Sequence, residues 1–308
     1  MEFRIALAQI APRLGELEAN LELVAAQVHE ASVQRANLAV FPELALTGYL
    51  LQDLVPEVAI KADDPRLLAI GEEAPEMLVA VGFAEETRAH RYCNSVALLR
   101  GGELIGLHRK VYLPTYGLFD EGRFTRPGHH VRTALVGDPI HRIGLSICED
   151  FWHPFVPMLQ VQDGASLLIN VAAGPARAPG SAAGLAAIGG WHKMQETYAL
   201  LGTVAVAFCN RVGNEEGLTF WGGSRVLGPD GSVIVEAPLY EEAMVLGVLD
   251  TDDLRMQRYN LPIFADERLE LVRREIDRII AERAEVAPAS GTEAGDEEPA
   301  REDAAELA

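Results

Sequence analysis

Cysteine is scarce. The 308 residues hold three, Cys93, Cys148 and Cys209, odd in number and far apart. None belongs to a Cys-x-x-Cys pair, which excludes a disulfide framework and leaves no zinc-ligand spacing; neither a metal nor another cofactor is expected. Basic residues are outnumbered as well, 26 Lys and Arg against 46 Asp and Glu, for a formal charge of −20. Such a chain repels phosphates, which excludes nucleic acid as a partner. Long apolar runs are missing: no stretch approaches the roughly 20 residues that cross a bilayer. The start, Met1-Glu2-Phe3-Arg4, enters a strand pattern at once with no apolar h-region. The expectation is a cytoplasmic protein without a membrane partner.

What the chain does have is core material, 49% hydrophobic residues with 23% charged. That is enough for a sizeable interior. The apolar pattern predicts strands over 3–9, 38–41, 77–83, 94–99, 103–108, 142–147, 166–171, 203–209, 217–227, 231–237 and 243–249. Helices are expected over 15–34, where Leu17, Leu21, Leu23, Val24 and Val28 recur at helical spacing, and over 64–73, 154–162, 189–200, 254–259 and 267–283. Gly101-Gly102 suits a tight hairpin turn, since two glycines accept positive φ. Residues 111–130 read as a long irregular stretch, which in a compact domain usually carries function. Strands alternating with helices and no internal linker indicate one α/β domain over 1–284. From Glu285 to Ala308 there are eight acids and one base. This segment offers no core positions and is expected to be a disordered tail.

Cys148 falls where the strand 142–147 meets the charged pair Glu149-Asp150. A thiol at such a turn is held by the strand behind it yet faces a crevice, though most free cysteines are merely small buried hydrophobes. Two other stretches supply what a nucleophilic thiol needs. Glu43 follows the apolar strand 38–41 and is flanked by Phe41, Leu44 and Leu46, an environment that suits a general base. Its bland alternative is a carboxylate in water. Lys110 follows the strand 103–108 and could stabilise an oxyanion, or could be a solvated surface lysine. Glu121 is a fourth candidate, otherwise an exposed loop acid. Glu43, Lys110 and Cys148 fall at the ends of three strands, where α/β folds carry ligands. A Cys–His arrangement using His108, His153 or His192 remains open on spacing alone.

The stretches Phe41-Pro42-Glu43-Leu44, Arg109-Lys110-Val111-Tyr112-Leu113-Pro114 and Ile147-Cys148-Glu149-Asp150 resemble the three motifs of the nitrilase (carbon–nitrogen hydrolase) superfamily, in its Glu, Lys, Cys order. The resemblance runs over about residues 3–250 and includes Gly222-Gly223-Ser224. It implies a four-layer αββα sandwich, a homodimer or higher homo-oligomer, and amide hydrolysis through a thioester. Cys148 would be the nucleophile and Glu43 the base. Lys110 and the backbone N–H after Cys148 would bind the oxyanion, and Glu121 would position the site. Tyr49, Tyr116, Phe119, Glu149 and Arg177 are the substrate-contact candidates. Leu46-Thr47-Gly48-Tyr49, Tyr116-Gly117-Leu118-Phe119-Asp120-Glu121 and Cys148-Glu149-Asp150 are similar to the glutaminase part of glutamine-dependent NAD synthetases. That implies glutamine as substrate and a separately encoded NAD synthetase as partner. Gly174-Pro175 stands where that group usually has Ser-Pro. The alternatives are an independent amidase or carbamoylase, and a non-catalytic binding protein on the same fold.

A chain truncated at Ala287 is expected to keep both its melting temperature and its hydrolytic rate. A clear fall in either, measured by thermal unfolding and ammonia release, would show that the tail docks on the enzyme.

Overall fold

The computed structural model describes residues 1–176 and 182–286, with side-chain surroundings not described for 182–185, 285 and 286. Arg177 and the segment from Ala287 onward, including most of the proposed tail, therefore lie outside the described residues. The chain divides into two compact units, Met1–Ala265 and Asp266–Ala308. The first holds both sheets; the second contributes the helix Leu269–Val286.

The strands are β1 (Glu2–Gln9), β2 (Leu38–Val40), β3 (Leu78–Glu86), β4 (Tyr92–Arg100), β5 (Glu103–Arg109), β6 (Thr133–Gly137), β7 (His141–Ile147), β8 (Leu167–Ala172), β9 (Ala205–Asn210), β10 (Val212–Glu215), β11 (Leu218–Trp221), β12 (Arg225–Leu227), β13 (Val233–Glu236) and β14 (Ala243–Asp250). One six-stranded sheet has the order β14-β1-β2-β3-β4-β5, the other β13-β12-β9-β8-β7-β6. Each is parallel only at its centre, β1–β2–β3 and β7–β8–β9, with antiparallel strands outside. Both sheets are therefore mixed.

Strand periodicity builds the layers. Ile5, Leu7, Leu38, Val40, Leu78, Ala80, Val96 and Leu98 pack against Ile143, Leu145, Ile147, Leu167, Ile169 and Ala207 of the second sheet. Their neighbours one position on, Ala6, Ala8, Ala39, Val79, Val81 and Ala97, face the other way onto Leu21, Val24 and Val28 of helix Leu17–Val33. Leu168, Ala172, Val206 and Phe208 likewise meet Trp191, Tyr198 and Ala199 of helix Ala182–Gly202. A period of two therefore gives each sheet two buried faces, and the result is the αββα sandwich. No described helix is long and apolar enough to cross a membrane.

Several local expectations change. The strand expected over 217–227 is two strands, because Gly222 (φ +72°) and Gly223 (φ +59°) turn the chain between β11 and β12. β6 and β10 have no counterpart in the sequence reading, being short and mixed in polarity. The stretch 111–130 contains a helical turn at Glu121–Phe124. Helix Ala182–Gly202 begins seven residues before the expected start at Gly189. The Gly101-Gly102 hairpin turn forms as expected, at φ +56° and +81°.

Candidate active site

Four strand exits converge. Glu43 follows β2, Lys110 follows β5, Cys148 follows β7 and Ala173 follows β8. β5 is antiparallel to β4, which is antiparallel to β3, so β5 ends on the same side as β2 and β3. The turn carrying Glu43 lies tightly against β3. A Cβ on Gly82 would stand 2.9 Å from Glu43 Cα and closer still to Pro42 O and Leu44 N. Only glycine allows that approach.

Glu43 and Lys110 are both fully buried. That removes the solvated alternative for each. Glu43 Oε1 accepts from Lys110 Nζ at 2.8 Å and from Asn94 Nδ2 at 2.7 Å, while Oε2 accepts from the backbone N–H of Ala173 at 2.7 Å. A carboxylate has about four acceptor positions, so one is left for a further proton. Lys110 Nζ also donates to Glu121 Oε1 at 2.7 Å, which leaves one of its three N–H bonds uncommitted. Burial works to lower the Lys110 pKa, but the charges of Glu121 and Glu43 outweigh it and hold the ammonium well above its usual range. Burial raises the pKa of Glu121, and Lys110 pulls it back only in part. Glu121 Oε2 and Asn94 Oδ1 are buried without a hydrogen-bond partner among the described residues. Both residues line a cavity walled by Leu44, Leu51, Val55 and Phe124.

Cys148 sits at φ +44°, in the left-handed region. A non-glycine residue there costs about 1–2 kcal/mol. Such strain recurs at sharp turns that present a reactive side chain. Its side chain packs against both the inter-sheet core and the outer cluster of the second sheet, yet it retains partial exposure. Burial, then the negative charge of Glu43, raise the thiol pKa well above its ordinary value despite Lys110. The resting group is therefore a thiol, and its proton must leave as it attacks.

Asp150, which the sequence offered only as part of a charged pair ending the strand, holds this turn in place. Its Oδ1 accepts from the N–H groups of Val111 and Tyr112, each at 3.0 Å. Its Oδ2 accepts from His108 Nε2 at 2.8 Å and from Ile147 N at 3.1 Å. One buried carboxylate thus ties the residues after Lys110 to the residue before Cys148. Burial pushes its pKa up, but the His108 hydrogen bond and charge and the backbone donors more than reverse that. Of the other histidines, His153 stacks on Tyr112 with ring centroids 3.5 Å apart and His192 lies 6.3 Å from Trp221.

Of the substrate-contact candidates, Tyr49, Tyr116, Phe119 and Glu149 are described and lie around this centre. Glu149 is buried, and its carboxylate accepts from Tyr116 Oη at 2.9 Å. Tyr116 is half exposed and meets Phe119 edge-on at 5.7 Å. Tyr49 donates its hydroxyl to Glu121 Oε1 at 2.6 Å. Gly174 N–H donates to Asn210 Oδ1 at 2.8 Å, and a Cβ there would come within 3.0 Å of Trp221 Nε1. The glycine at that position is explained by crowding. Asn94 and the tying role of Asp150 were missed by sequence reasoning, since polar residues inside or beside strands carry no periodic signal.

A buried acid, ammonium and thiol at adjoining strand ends of an αββα sandwich define a nitrilase-superfamily hydrolase. The chain belongs to the carbon-nitrogen hydrolase family, which matches residues 4–259. A glutamine-dependent NAD(+) synthetase of Thermotoga maritima is 33% identical over 259 residues, 81% of this chain and 42% of that protein. The chain therefore spans less than half of that relative. An N-carbamoylputrescine amidase of Arabidopsis thaliana is 26% identical over 83% of this chain and 89% of its own. The structure of an amidase from Nesterenkonia sp. AN1, solved as a variant after Michael addition of acrylamide at its active-site cysteine, superposes with a TM-score of 0.71. It is 25% identical over 88% of this chain and 99% of that one.

Proposed function

We propose that the protein releases ammonia from glutamine through a thioester on Cys148, acting as the glutaminase of a separately encoded NAD synthetase. The observation that carries the hydrolytic part is the buried Glu43–Lys110–Glu121 chain beside a strained, partly exposed thiol. In the acylation step Glu43 takes the thiol proton as Sγ attacks the amide carbon. The oxyanion is met by the free N–H of Lys110 and the backbone N–H of Glu149. Protonated Glu43 returns its proton to the departing nitrogen, ammonia leaves, and Glu43 then activates water against the thioester. Glu121 holds the far side of the Lys110 ammonium. Because the resting thiol is neutral, base and nucleophile work as one unit.

Similarity to NAD synthetases supports glutamine. Glu149, a buried carboxylate beside Tyr116, suits the α-amino group of an amino acid. The second reading, a carbamoyl or simple amide, is favoured by the amidase relatives matched along nearly their whole length. Ammonia release from L-glutamine, N-carbamoylputrescine and acrylamide decides between them. We expect glutamine to show the highest kcat/KM, by at least about tenfold. A reversed order would make the protein an independent amidase or carbamoylase.

A further inference from the structure

The hydroxyl of Tyr49 and the ammonium of Lys110 donate to the same oxygen, Glu121 Oε1, at 2.6 and 2.7 Å. The placement of Tyr49 therefore sets that of Glu121. Tyr49 lies in the loop after β2, where its backbone has no sheet partner. Instead its N–H donates to Glu215 Oε1 at 2.9 Å, and the N–H of Leu50 donates to the same oxygen at 2.6 Å. Glu215, at the end of β10, is buried, and its Oε2 accepts from Arg211 Nη1 at 2.6 Å. Arg211 is 1% exposed, lies 4.2 Å over the Phe220 ring and donates to Pro12 O at 3.2 Å. Phe220 in turn meets the Tyr49 ring edge-on at 6.0 Å. A Cβ on Gly48 (φ +79°) would stand 2.9 Å from Glu215 Oε2, so the carboxylate fits closely under the loop.

A buried ion pair is a costly way to hold a hairpin together, and apolar residues of the same volume often serve stability as well or better. What the carboxylate adds is one fixed oxygen, Oε1, that accepts from two consecutive N–H groups while Oε2 is held by Arg211. We propose that Glu215, held by Arg211, is a positioning residue of this hydrolase, acting through Tyr49 on Glu121 and Lys110. The inference rests on the roles given above to Cys148, Glu43, Lys110 and Glu121. Glu215 reaches the chemistry only through the Tyr49 backbone. Loss of its charge lets the phenol drift, Glu121 loosens, and the ammonium is no longer aimed at the oxyanion. Displacements of about 1 Å in such groups can cost up to about a hundredfold in rate.

The test is a double-mutant cycle between Glu215→Gln and Tyr49→Phe. Two readouts are used, ammonia release from L-glutamine and the rate of Cys148 alkylation by iodoacetamide followed by intact mass, with Cys148→Ala as the control. Glu215→Gln is expected to lower kcat about tenfold with KM changed less than about twofold, and to slow alkylation several-fold. On the Tyr49→Phe background, where the link to Glu121 is already gone, the further loss is expected to fall below about twofold. If Glu215→Gln does not fold, the Arg211→Met/Glu215→Leu pair replaces it, removing both buried charges together, with the same expected pattern. An equal loss on both backgrounds, or wild-type kcat in a folded variant, would overturn the proposal. Should wild type not turn glutamine over, the alkylation cycle still decides the role of Glu215. Alkylation of wild type no faster than of Cys148→Ala would instead overturn the functional reading.

Discussion

Cys148→Ala is expected to abolish turnover and leave the fold standing. The substitution removes the one atom that can form the acyl intermediate, and loss of a nucleophile costs three or more orders of magnitude in kcat. The cost in stability is small. The side chain is only part-buried, and alanine keeps the Cβ that the φ of +44° already accommodates. The other two thiols cannot substitute. Cys93 and Cys209 are both buried, whereas Cys148 is partly exposed and has Glu43 close by to take its proton. Iodoacetamide should therefore add once to the wild type and not at all to the variant on the same timescale. Retention of more than about a thousandth of wild-type activity would show that Cys148 is not the nucleophile.

Lys110→Met and Glu43→Gln should both fail, by different routes. Lys110→Met removes a developing-charge donor, expected to lower kcat by about 10²–10³. It also leaves Glu43 and Glu121 facing each other in the interior without the cation between them. An uncompensated buried charge costs about 3–5 kcal/mol unless one carboxylate takes up a proton. Burial already holds the Glu121 pKa up, so without Lys110 the native state binds more protons than the unfolded chain. Stability of the variant should accordingly rise as pH falls from neutral towards the ordinary carboxylate range, and fall as pH rises again. Glu43→Gln cannot take the thiol proton. Its amide group must also face one of three donors, Lys110 Nζ, Asn94 Nδ2 or Ala173 N–H, so a loss of about 1–3 kcal/mol accompanies the loss of rate. Acylation and deacylation should both slow, seen in pre-steady-state ammonia release. Wild-type turnover in Lys110→Met would leave that buried lysine a purely structural ion-pair partner and remove the site as described.

The sequence by itself determined an α/β chain with a large core, and through its resemblance to the nitrilase superfamily it pointed to the sandwich and its central residues. Near-continuous apolar runs in β3 and β8 specify two buried faces for each of these strands. An acid, a lysine and a thiol just past apolar strands in three separated motifs point to one hydrolytic chemistry. These signals are local, and each is readable within about ten residues. Only the tertiary structure decided that Lys110 is shared between Glu43, 67 residues away at another strand exit, and Glu121, 11 residues on in a helical turn. Asp150 reads as a strand-ending charge until β5 and β7 are seen to lie side by side across the core. Asn94 reads as a polar residue inside β4 until its amide meets Glu43. Glu215 and Arg211, four residues apart on a short hairpin, gain meaning only from a loop 165 residues earlier that places two N–H groups over them. Hydrophobic periodicity is a property of neighbours in sequence and survives without the fold. The partner of a buried polar group is a property of neighbours in space, settled only when the two sheets close on each other.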